Sequence, residues 1–229
     1  MSLRGKKLLI TAGPTRAPLD AIRYITNKST GRTGALIAEE ALRHGASVTF
    51  VHGRPSVAPV VRGGVHDHLT LIAIETVRDL IQIFREELPR GYDAVIHNMA
   101  VLDFEPAAIR PGKTDSADPE WMVHLVPTPK AVHVVKELAP QTLLVAFKLE
   151  VGRSREDLVA SALDLLQKNR CDLVVANDQR EIEAGEHTGY FVEPSGEVVA
   201  VAEGKEAIAR TLIRLVEERL EQTAARPSA

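Results

Sequence analysis

The stretch "KLLITAG" (residues 7–13) is a short apolar run that ends at a glycine and leads into "ITNKSTGRTG" (residues 25–34). Further apolar runs follow it: "SVTFVHG" (47–53), "LTLIAI" (69–74), "YDAVIHNMA" (92–100), "TLLVAFKLE" (142–150) and "DLVVAND" (172–178). Amphipathic helical patterns accompany them at 33–44, 76–87, 129–138, 154–168 and 205–222. Near-continuous apolar strands that alternate with such helices are typical of βαβ units. We therefore predict a Rossmann-like α/β fold, with a mainly parallel sheet and helices on both of its faces.

Two segments interrupt this alternation. Residues 101–127 are rich in proline and polar residues and are long for a simple connection, which indicates a binding loop, a lid or a disordered linker. Residues 188–204 predict an antiparallel hairpin extension that turns at "PSG" (194–196). We expect one domain over residues 1–222, with 101–127 as its lid or binding loop and 223–229 as a disordered tail.

The composition argues against several classes of protein. The chain has 28 Lys and Arg against 31 Asp and Glu, a formal net charge of −3, so no net positive field favours nucleic acid or an anionic membrane. A single cysteine, Cys171, cannot form an internal disulfide and suits a reducing compartment. No apolar run approaches the ~20 residues of a membrane helix, and the first residues lack a signal-peptide pattern. We expect a cytoplasmic protein without nucleic-acid or membrane partners.

The candidate site lies where the predicted strands end, because parallel α/β sheets bind ligands beyond the carboxyl ends of their strands. Ser29, Thr30 and Gly31 precede the first predicted helix, where free backbone N–H groups favour an anion. The simpler alternative is that Ser29 or Thr30 caps the helix. Neither common nucleotide fingerprint is present, since no Lys-Ser/Thr pair follows Gly34 and a proline follows Gly13.

Several motifs together carry a family resemblance. They are "ITAGPTRAPLDAIRYITNKSTGRTG" (10–34), "NMAVLDFEP" (98–106), "GK" (112–113), "PTPKAV" (127–132), "VAFKLE" (145–150) and "DLVVAND" (172–178). In this order they resemble phosphopantothenoylcysteine synthetase, also called phosphopantothenate–cysteine ligase, of coenzyme A biosynthesis. The resemblance covers roughly residues 7 to 195. The "FKLE" form is similar to stand-alone synthetases, including eukaryotic ones, rather than to the bifunctional bacterial proteins that carry a decarboxylase, so we expect a stand-alone ligase.

The resemblance implies an amide-forming reaction between phosphopantothenate and L-cysteine. The phosphopantothenate carboxylate first attacks the α-phosphorus of a nucleoside triphosphate, which forms an acyl nucleotide and releases pyrophosphate. The amine of cysteine then displaces the nucleoside monophosphate. Bacterial members favour CTP and eukaryotic members accept ATP, and the sequence leaves this choice open. The resemblance also implies Mg²⁺ on the nucleotide and a homodimer, for which 188–204 is the expected arm.

The resemblance further assigns roles to individual residues. Asn27 would hold the acyl group and donate to its developing oxyanion, and Lys113 would contact the phosphates. Pro129 would lie in the first turn of the helix that begins at 129. The implied nucleotide contacts are Ser29, Thr30, Gly31, Asp103, Pro129, Lys130, Ala131, Val132, Phe147 and Lys168. The implied substrate contacts are Asn27, Met99, Ala100 and Asn177.

Each assignment has a simpler structural alternative. These alternatives are an Asx turn for Asn27, a solvated surface lysine for Lys113, core packing for Phe147 and turn chemistry for Asn177. Cys171 is predicted to be a packing residue. No His/Cys/Asp spacing resembles a zinc site or a facial triad, so we assign no protein metal ligands. A NAD(P)-dependent Rossmann-type reductase and a catalytically silent nucleotide-binding module are the alternative functions.

Overall fold

The computed structural model describes residues 2–61, 65–115 and 120–225. The strands are β1 (Lys7–Ala12), β2 (Arg16–Pro18), β3 (Tyr24–Thr26), β4 (Ser47–Gly53), β5 (Leu69–Ile74), β6 (Ala94–His97), β7 (Phe104–Pro106), β8 (Leu125–Pro127), β9 (Leu143–Glu150), β10 (Leu173–Asp178), β11 (Thr188–Val192) and β12 (Val198–Glu203). The α-helices are α1 (Arg32–Arg43), α2 (Val77–Glu87), α3 (Ala131–Leu138), α4 (Arg155–Asn169), α5 (Gln179–Glu183) and α6 (Lys205–Ala225).

One sheet organises the molecule, with the strand order β12-β11-β10-β9-β6-β1-β4-β5. From β5 to β10 all neighbouring strands are parallel, whereas β11 and β12 pair in an antiparallel manner. The parallel part, β5-β4-β1-β6-β9-β10, has the 3-2-1-4-5-6 order of the dinucleotide-binding fold. The order of strands reverses between β1 and β6, so their carboxyl ends border the crevice in which this fold binds ligands.

The sheet is covered on both faces, as predicted. Leu8 and Ile10 of β1 belong to a core cluster with α1 and α6, whereas Leu9 belongs to a second cluster with α2, α3 and α4. This alternation follows from the period of two residues in a strand. Because both faces of the central strands are buried, β1, β6 and β10 are largely apolar, and this is the property that made them recognisable in the sequence.

The helix after β8 begins two residues later than predicted. α3 starts at Ala131 with an extended Lys130 as its N-cap, so Pro129 lies before the helix and not in its first turn. The reason is the preceding residue, Thr128, whose backbone N–H donates to the carbonyl oxygen of Asp103 at 2.9 Å. Its hydroxyl also donates to the carbonyl oxygen of Leu102 at 2.6 Å. These two bonds keep the chain extended up to Pro129.

The last helix continues further than predicted. α6 runs to Ala225, so a disordered tail beginning at 223 is wrong for residues 223–225. The helix continues because the sequence has no helix breaker before Pro227, and Thr223 donates its hydroxyl to the carbonyl oxygen of Arg219 at 2.9 Å. Residues 226–229 lie outside the described residues. Across the described chain, no helix combines the length and the apolar character needed to cross a membrane.

The two unusual segments of the sequence form two different kinds of ribbon. Within 101–127, β7 and β8 pair in an antiparallel manner, and 116–119 lie outside the described residues. The hairpin at 188–204 is confirmed, but β11 pairs with β10 and α6 packs on β12. Phe191 and Val192 are completely buried, so this hairpin extends the sheet and does not form a projecting arm.

Candidate active site

The loop after β1 is joined to the loop after β6 at the point where the strand order reverses. The N–H of Ala100 donates to the carbonyl oxygen of Gly13 at 2.9 Å, and the N–H of Thr15 donates to the carbonyl oxygen of Ala100 at 3.2 Å. The completely buried hydroxyl of Thr15 accepts from the N–H of Leu102 at 2.9 Å. No motif pointed to Thr15, because its partner lies 87 residues further along the chain.

Asn27 lies against this junction. Its Nδ2 donates to the carbonyl oxygens of Ala100 at 3.2 Å and Val101 at 3.1 Å. An Asx turn would need Oδ1 of Asn27 to accept from a nearby backbone N–H, and among the described residues Oδ1 accepts no hydrogen bond, so the simpler alternative is not formed. Both amide hydrogens are used, and a role as an oxyanion donor therefore requires Asn27 to exchange one carbonyl partner for the substrate.

The N-terminus of α1 has no side-chain cap. Gly31 is the N-cap residue, with φ of 75°, and the first turn contains no acidic residue. The hydroxyl of Thr30 accepts from the N–H of Arg32, but this hydrogen bond is long, at 3.4 Å. The alternative in which Ser29 or Thr30 is the N-cap is therefore wrong. Backbone N–H groups of the first turn lack helical partners, and this is the arrangement that favours an anion.

The loop after β4 borders the same helix end. The N–H of Val57 donates to the carbonyl oxygen of Thr30 at 2.9 Å. A β-carbon added to Gly31 would lie 3.1 Å from the Cβ of Ser56 and 3.2 Å from the backbone N of Gly13. The three segments are therefore closely packed, and the positive φ of Gly31 makes glycine the residue that fits there.

The predicted contacts at the start of α3 lie beside the loop after β6. Asp103 forms an ion pair with Lys130, and both side chains are largely exposed. Ala131 is buried and Val132 is half-buried, so these residues can reach a ligand mainly through their backbone. The side chain of Met99 is also buried, in the core cluster that contains α2.

Lys113 is exposed, and its ammonium group has no hydrogen-bond or ion-pair partner among the described residues. The next residue, Thr114, is buried, and its N–H donates to Asp20 at 3.1 Å. Asp20 is a buried carboxylate in the turn between β2 and β3, and the sequence did not single it out. The backbone N–H of Thr114, followed by those of Ile22 and Arg23, holds the pKa of Asp20 well below its usual range despite burial.

Phe147 and Asn177 lie further along the sheet. Phe147 is half-buried and packs against the core cluster of α1 and α6, which supports the core-packing alternative while leaving part of the ring accessible. Asn177 is buried at 5% exposure, and its Nδ2 donates to the carbonyl oxygen of Thr188 at 2.6 Å. The amide of Asn177 therefore connects β10 to the hairpin that follows it.

Lys168 is not brought to this edge of the sheet. It lies in the last turn of α4, which begins near the carboxyl end of β9 and returns toward the start of β10. At a rise of 1.5 Å per residue, Lys168 is roughly 20 Å along the helix from Arg155. Its ammonium pairs with Asp164 at 2.7 Å, and both groups are exposed.

Two buried groups near the sheet are structural. The Nδ1 of His97 and the hydroxyl of Thr11 are 2.8 Å apart, and burial lowers the pKa of His97 to about 4. Cys171 is buried, which confirms its predicted packing role, and burial raises the pKa of its thiol to about 12. Neither group is suited to act as an exposed acid, base or nucleophile at neutral pH.

A cavity of about 400 Å³ opens beside the carboxyl end of β5 and the start of α2. Arg54, Glu75 and Asp79 line it, and none of the predicted site residues does. Several of the predicted residues instead lie on the loops after β1 and β6 and at the start of α3, whereas Lys168 does not. Within the described part of the chain, no three His, Cys, Asp or Glu side chains are grouped so that they could hold a metal ion.

Comparisons with known proteins place the chain in a family. Residues 3–220 match the family model described as the DNA/pantothenate metabolism flavoprotein C-terminal domain. The Coenzyme A biosynthesis bifunctional protein CoaBC of Thermococcus kodakarensis is 41% identical over 177 residues. That alignment covers 77% of this chain and 42% of the relative, so the chain spans less than half of the relative's length.

Two solved structures have the same fold. The DNA/pantothenate metabolism flavoprotein of Streptococcus pneumoniae superposes with a TM-score of 0.83 at 31% identity, covering 93% of this chain and 99% of that one. A Cab2 mutant in complex with phosphopantothenate-cysteine superposes with a TM-score of 0.77 at 24% identity, covering 97% and 88%. The second similarity establishes the fold alone.

Proposed function

Since the chain belongs to the DNA/pantothenate metabolism flavoprotein C-terminal domain family, we propose that it is a ligase that joins phosphopantothenate to L-cysteine in coenzyme A biosynthesis. The observation that carries the proposal is the position of Asn27 at the junction of the loops after β1 and β6, beside the uncapped N-terminus of α1. The Cab2 structure contains phosphopantothenate-cysteine, which is the product expected of such a ligase.

The proposed reaction has two displacement steps. In the first, the carboxylate oxygen bonds to the α-phosphorus and the bond between the α-phosphorus and pyrophosphate breaks. In the second, the cysteine nitrogen bonds to the acyl carbon, the nucleoside monophosphate leaves and the amine loses a proton. Neither step requires a nucleophile from the protein. The chain must therefore align the two reactants and stabilise the charge that develops in each transition state.

We propose that the N-terminus of α1 receives part of the triphosphate. The support is electrostatic, because the helix dipole and the N–H groups of the first turn present partial positive charge. Gly31 lacks a side chain, which lets the segments of Ser56 and Gly13 pack against this helix end. Thr30, which is exposed, adds a hydroxyl at the same place.

Asn27 is proposed to serve the acyl group. Its amide is held by the carbonyl oxygens of Ala100 and Val101, which keep the side chain at the junction of the two loops. When substrate binds, one N–H would turn from a carbonyl to the developing oxyanion. The remaining hydrogen bond would keep the amide in place, and this limits the entropy lost in the transition state.

Three charged side chains, those of Asp103, Lys113 and Lys130, are proposed to contact the nucleotide or its phosphates. Asp103 and Lys130 pair with one another without ligand, and exposed ion pairs contribute only about 0–1 kcal/mol, so phosphate can displace the aspartate from Lys130. Lys113 has no competing partner among the described residues and can bind phosphate as a point charge. Asp103 and Lys113 lie within 101–127, and Lys130 follows this segment.

The proposed co-substrate is CTP or ATP with Mg²⁺. When bound, the ion would neutralise phosphate charge and leave most of its coordination to phosphate oxygens and water, as magnesium does in other phosphate sites. Asp103 is an exposed carboxylate that pairs with Lys130, and it suits a water-mediated role. The accessible part of Phe147 is proposed to contact the base.

We also propose a homodimer in the cytoplasm. The resemblance implied a dimer, and the surface that suits it is the ribbon of β7 and β8, where Phe104 is 52% exposed and Leu125 is 40% exposed. Exposed apolar side chains of this size on one ribbon are typical of interfaces. Size-exclusion chromatography with light scattering tests this proposal, and a mass of one chain at micromolar concentration would contradict it.

The activity has a direct test. Purified protein is mixed with phosphopantothenate, L-cysteine and Mg²⁺, and either CTP or ATP is added. We expect stoichiometric pyrophosphate, nucleoside monophosphate and amide product, detected by mass spectrometry. If neither nucleotide gives pyrophosphate, the proposed function is wrong. A parallel titration with NADPH tests the reductase alternative, which predicts tight binding.

A further inference from the structure

The carboxylate of Asp20 connects two segments that are distant in the sequence. Its Oδ1 accepts from the backbone N–H groups of Ile22 at 2.8 Å and Arg23 at 2.7 Å. Its Oδ2 accepts from the N–H of Thr114 at 3.1 Å and the guanidinium of Arg23 at 3.2 Å. The side chain of Asp20 has no exposed surface. One oxygen therefore shapes the turn between β2 and β3, and the other holds the segment that contains Lys113.

Further hydrogen bonds join the same two segments. The N–H of Ala21 donates to the carbonyl oxygen of Gly112 at 3.0 Å. The N–H of Arg110 donates to the carbonyl oxygen of Leu19 at 3.0 Å. Residues 110–114 are therefore docked along the turn at 19–23. We call this contact the turn–loop junction.

The guanidinium of Arg23 also donates to the carbonyl oxygen of Thr114 at 3.4 Å. The ring of Trp121 lies 5.2 Å from the guanidinium carbon of Arg23 and 5.3 Å from that of Arg110. Both cations are within the distance at which an indole ring attracts them. The Asp20 carboxylate bonds to both sides of the junction and, unlike the side chain of Arg23, is completely buried.

The turn–loop junction bears directly on Lys113. Lys113 lies between Gly112 and Thr114, which are both held by backbone bonds, while its own side chain is exposed. On the other side of the junction, β3 leads from the turn to Asn27. The junction therefore determines where Lys113 lies relative to Asn27.

We propose that Asp20 is a positioning residue for Lys113, holding its loop so that the ammonium group faces the triphosphate. This inference rests on the proposed function, because Lys113 has a role only if a phosphate binds there. Asp20 does not touch substrate in this account. It acts through the backbone N–H of Thr114, which donates to no other acceptor among the described residues.

Replacement by asparagine tests the carboxylate with little change in volume. In Asp20→Asn, the remaining carbonyl oxygen serves one side of the junction, and the NH₂ group faces backbone donors on the other side. Asp20→Ala removes every acceptor and is the second variant. For both variants, urea unfolding is measured first. A cooperative transition shows that the variant is still folded before its exchange or activity is interpreted.

The first readout is amide hydrogen exchange without any substrate. We expect exchange at Thr114 to become at least about 10-fold faster in either Asp20 variant, relative to the core amide of Ile10. The matched control is Asp172→Asn. Asp172 also accepts from a backbone N–H, that of Leu144 at 2.7 Å, and from a cation, Lys136 at 2.8 Å, but it lies at the opposite edge of the sheet.

The second readout is a double-mutant cycle on pyrophosphate release. Asp20→Asn should lower kcat/KM by about 10- to 100-fold in the wild-type background. In a Lys113→Ala background the same change should have an effect within about twofold, because the residue it positions is absent. A full additional loss in that background would overturn the inference and give Asp20 another role.

The positioning role of Asp20 and the proposed ligase function can be contradicted separately. Unchanged exchange at Thr114 in both Asp20 variants would overturn the positioning role even if the protein is an active ligase. A wild-type protein that releases no pyrophosphate would overturn the proposed function, and the role of Lys113 with it. Faster exchange at Thr114 would in that case still establish the buried carboxylate as the link between the two segments.

Discussion

Gly53 and Pro14 are in direct backbone contact, so that a β-carbon added to Gly53 would lie 1.6 Å from the carbonyl oxygen of Pro14. Gly53 ends β4, and Pro14 lies in the loop after β1, where it also bridges to Ala100. The loop after β1 therefore passes across the end of β4 on its way to the crevice. This contact determines how close the loop lies to the N-terminus of α1.

Gly53→Ala should consequently destabilise the protein by steric overlap. We expect a loss of about 3 kcal/mol in the free energy of unfolding, because a backbone oxygen cannot rotate away from the new methyl group. Gly204→Ala is the control. Gly204 has φ of 85° and open space around it, so that change should cost only about 1 kcal/mol. Equal losses in urea unfolding would contradict the predicted overlap.

Asn27→Ala should separate the two steps of the proposed reaction. We expect near-normal pyrophosphate release in a first turnover and a loss of about 100-fold in amide formation, since the oxyanion donor acts when cysteine attacks. Rapid-quench measurement of both products tests this. If both steps slow equally, Asn27 shapes the whole pocket through its bonds to the carbonyls of Ala100 and Val101.

Lys113→Ala should impair both steps, because phosphate is present in each. We expect kcat/KM to fall by about 10- to 100-fold with no change in unfolding free energy, since the side chain is exposed. Lys7→Ala is the matched control, because Lys7 is an exposed lysine at the start of β1, on the opposite edge of the sheet. A variant with the wild-type rate would remove Lys113 from the site.

Lys168→Ala tests two opposing predictions for Lys168, one from the family resemblance and one from the structure of this chain. The resemblance makes Lys168 a nucleotide contact, whereas the structure places it in the last turn of α4 in an exposed pair with Asp164. From that placement we predict a KM for CTP or ATP within about twofold of wild type, because Lys168 lies roughly 20 Å along α4 from the end that begins near the carboxyl edge of the sheet. A tenfold rise in KM would show that Lys168 reaches the nucleotide after all.

Lowering the pH should lower the free energy of unfolding because of His97. Its pKa is about 4 in the folded protein against 6.5 ordinarily, so the unfolded chain binds the proton more readily between these values. Stability from this residue is therefore present above pH 6.5 and decreases as the pH falls toward 4. Between pH 7 and pH 5 the wild type should lose about 2 kcal/mol more than His97→Gln. Parallel losses in urea unfolding would exclude this account.

The local patterns of the sequence predicted most of the fold. The apolar runs became β1, β4, β5, β6, β9 and β10, and "PSG" became the hairpin turn. Each of these features depends on a pattern among neighbouring residues, such as the periodicity of a strand. It can therefore be predicted without knowing what the rest of the chain contacts. The start of α3 was misplaced because hydrogen bonds of Thr128 to the preceding loop hold the chain extended, and those bonds are not local.

The candidate site could be predicted only in part, because motifs are local and the hydrogen bonds between distant segments are not. The family motifs identified Asn27 and the uncapped turn at Gly31, but not the partners that hold them. Asp20 was missed because a carboxylate in a short turn has no distinctive signal by itself. Its partner, Thr114, is 94 residues away in the chain. Lys168 was assigned by the family resemblance, which does not reveal in which direction its helix runs in this chain.

By itself, the sequence determined the class of fold, the family and the segments that end at the carboxyl edge of the sheet, because periodicity and motif order are properties of contiguous residues. Only the tertiary structure decided which of these segments meet. Asn27 reaches carbonyl groups 73 and 74 residues away, and Asp20 reaches Thr114, because β1 and β6 are adjacent in the sheet although the chain makes β4 and β5 between them. Adjacency of that kind results from how the strands pack, and no local pattern of residues records it.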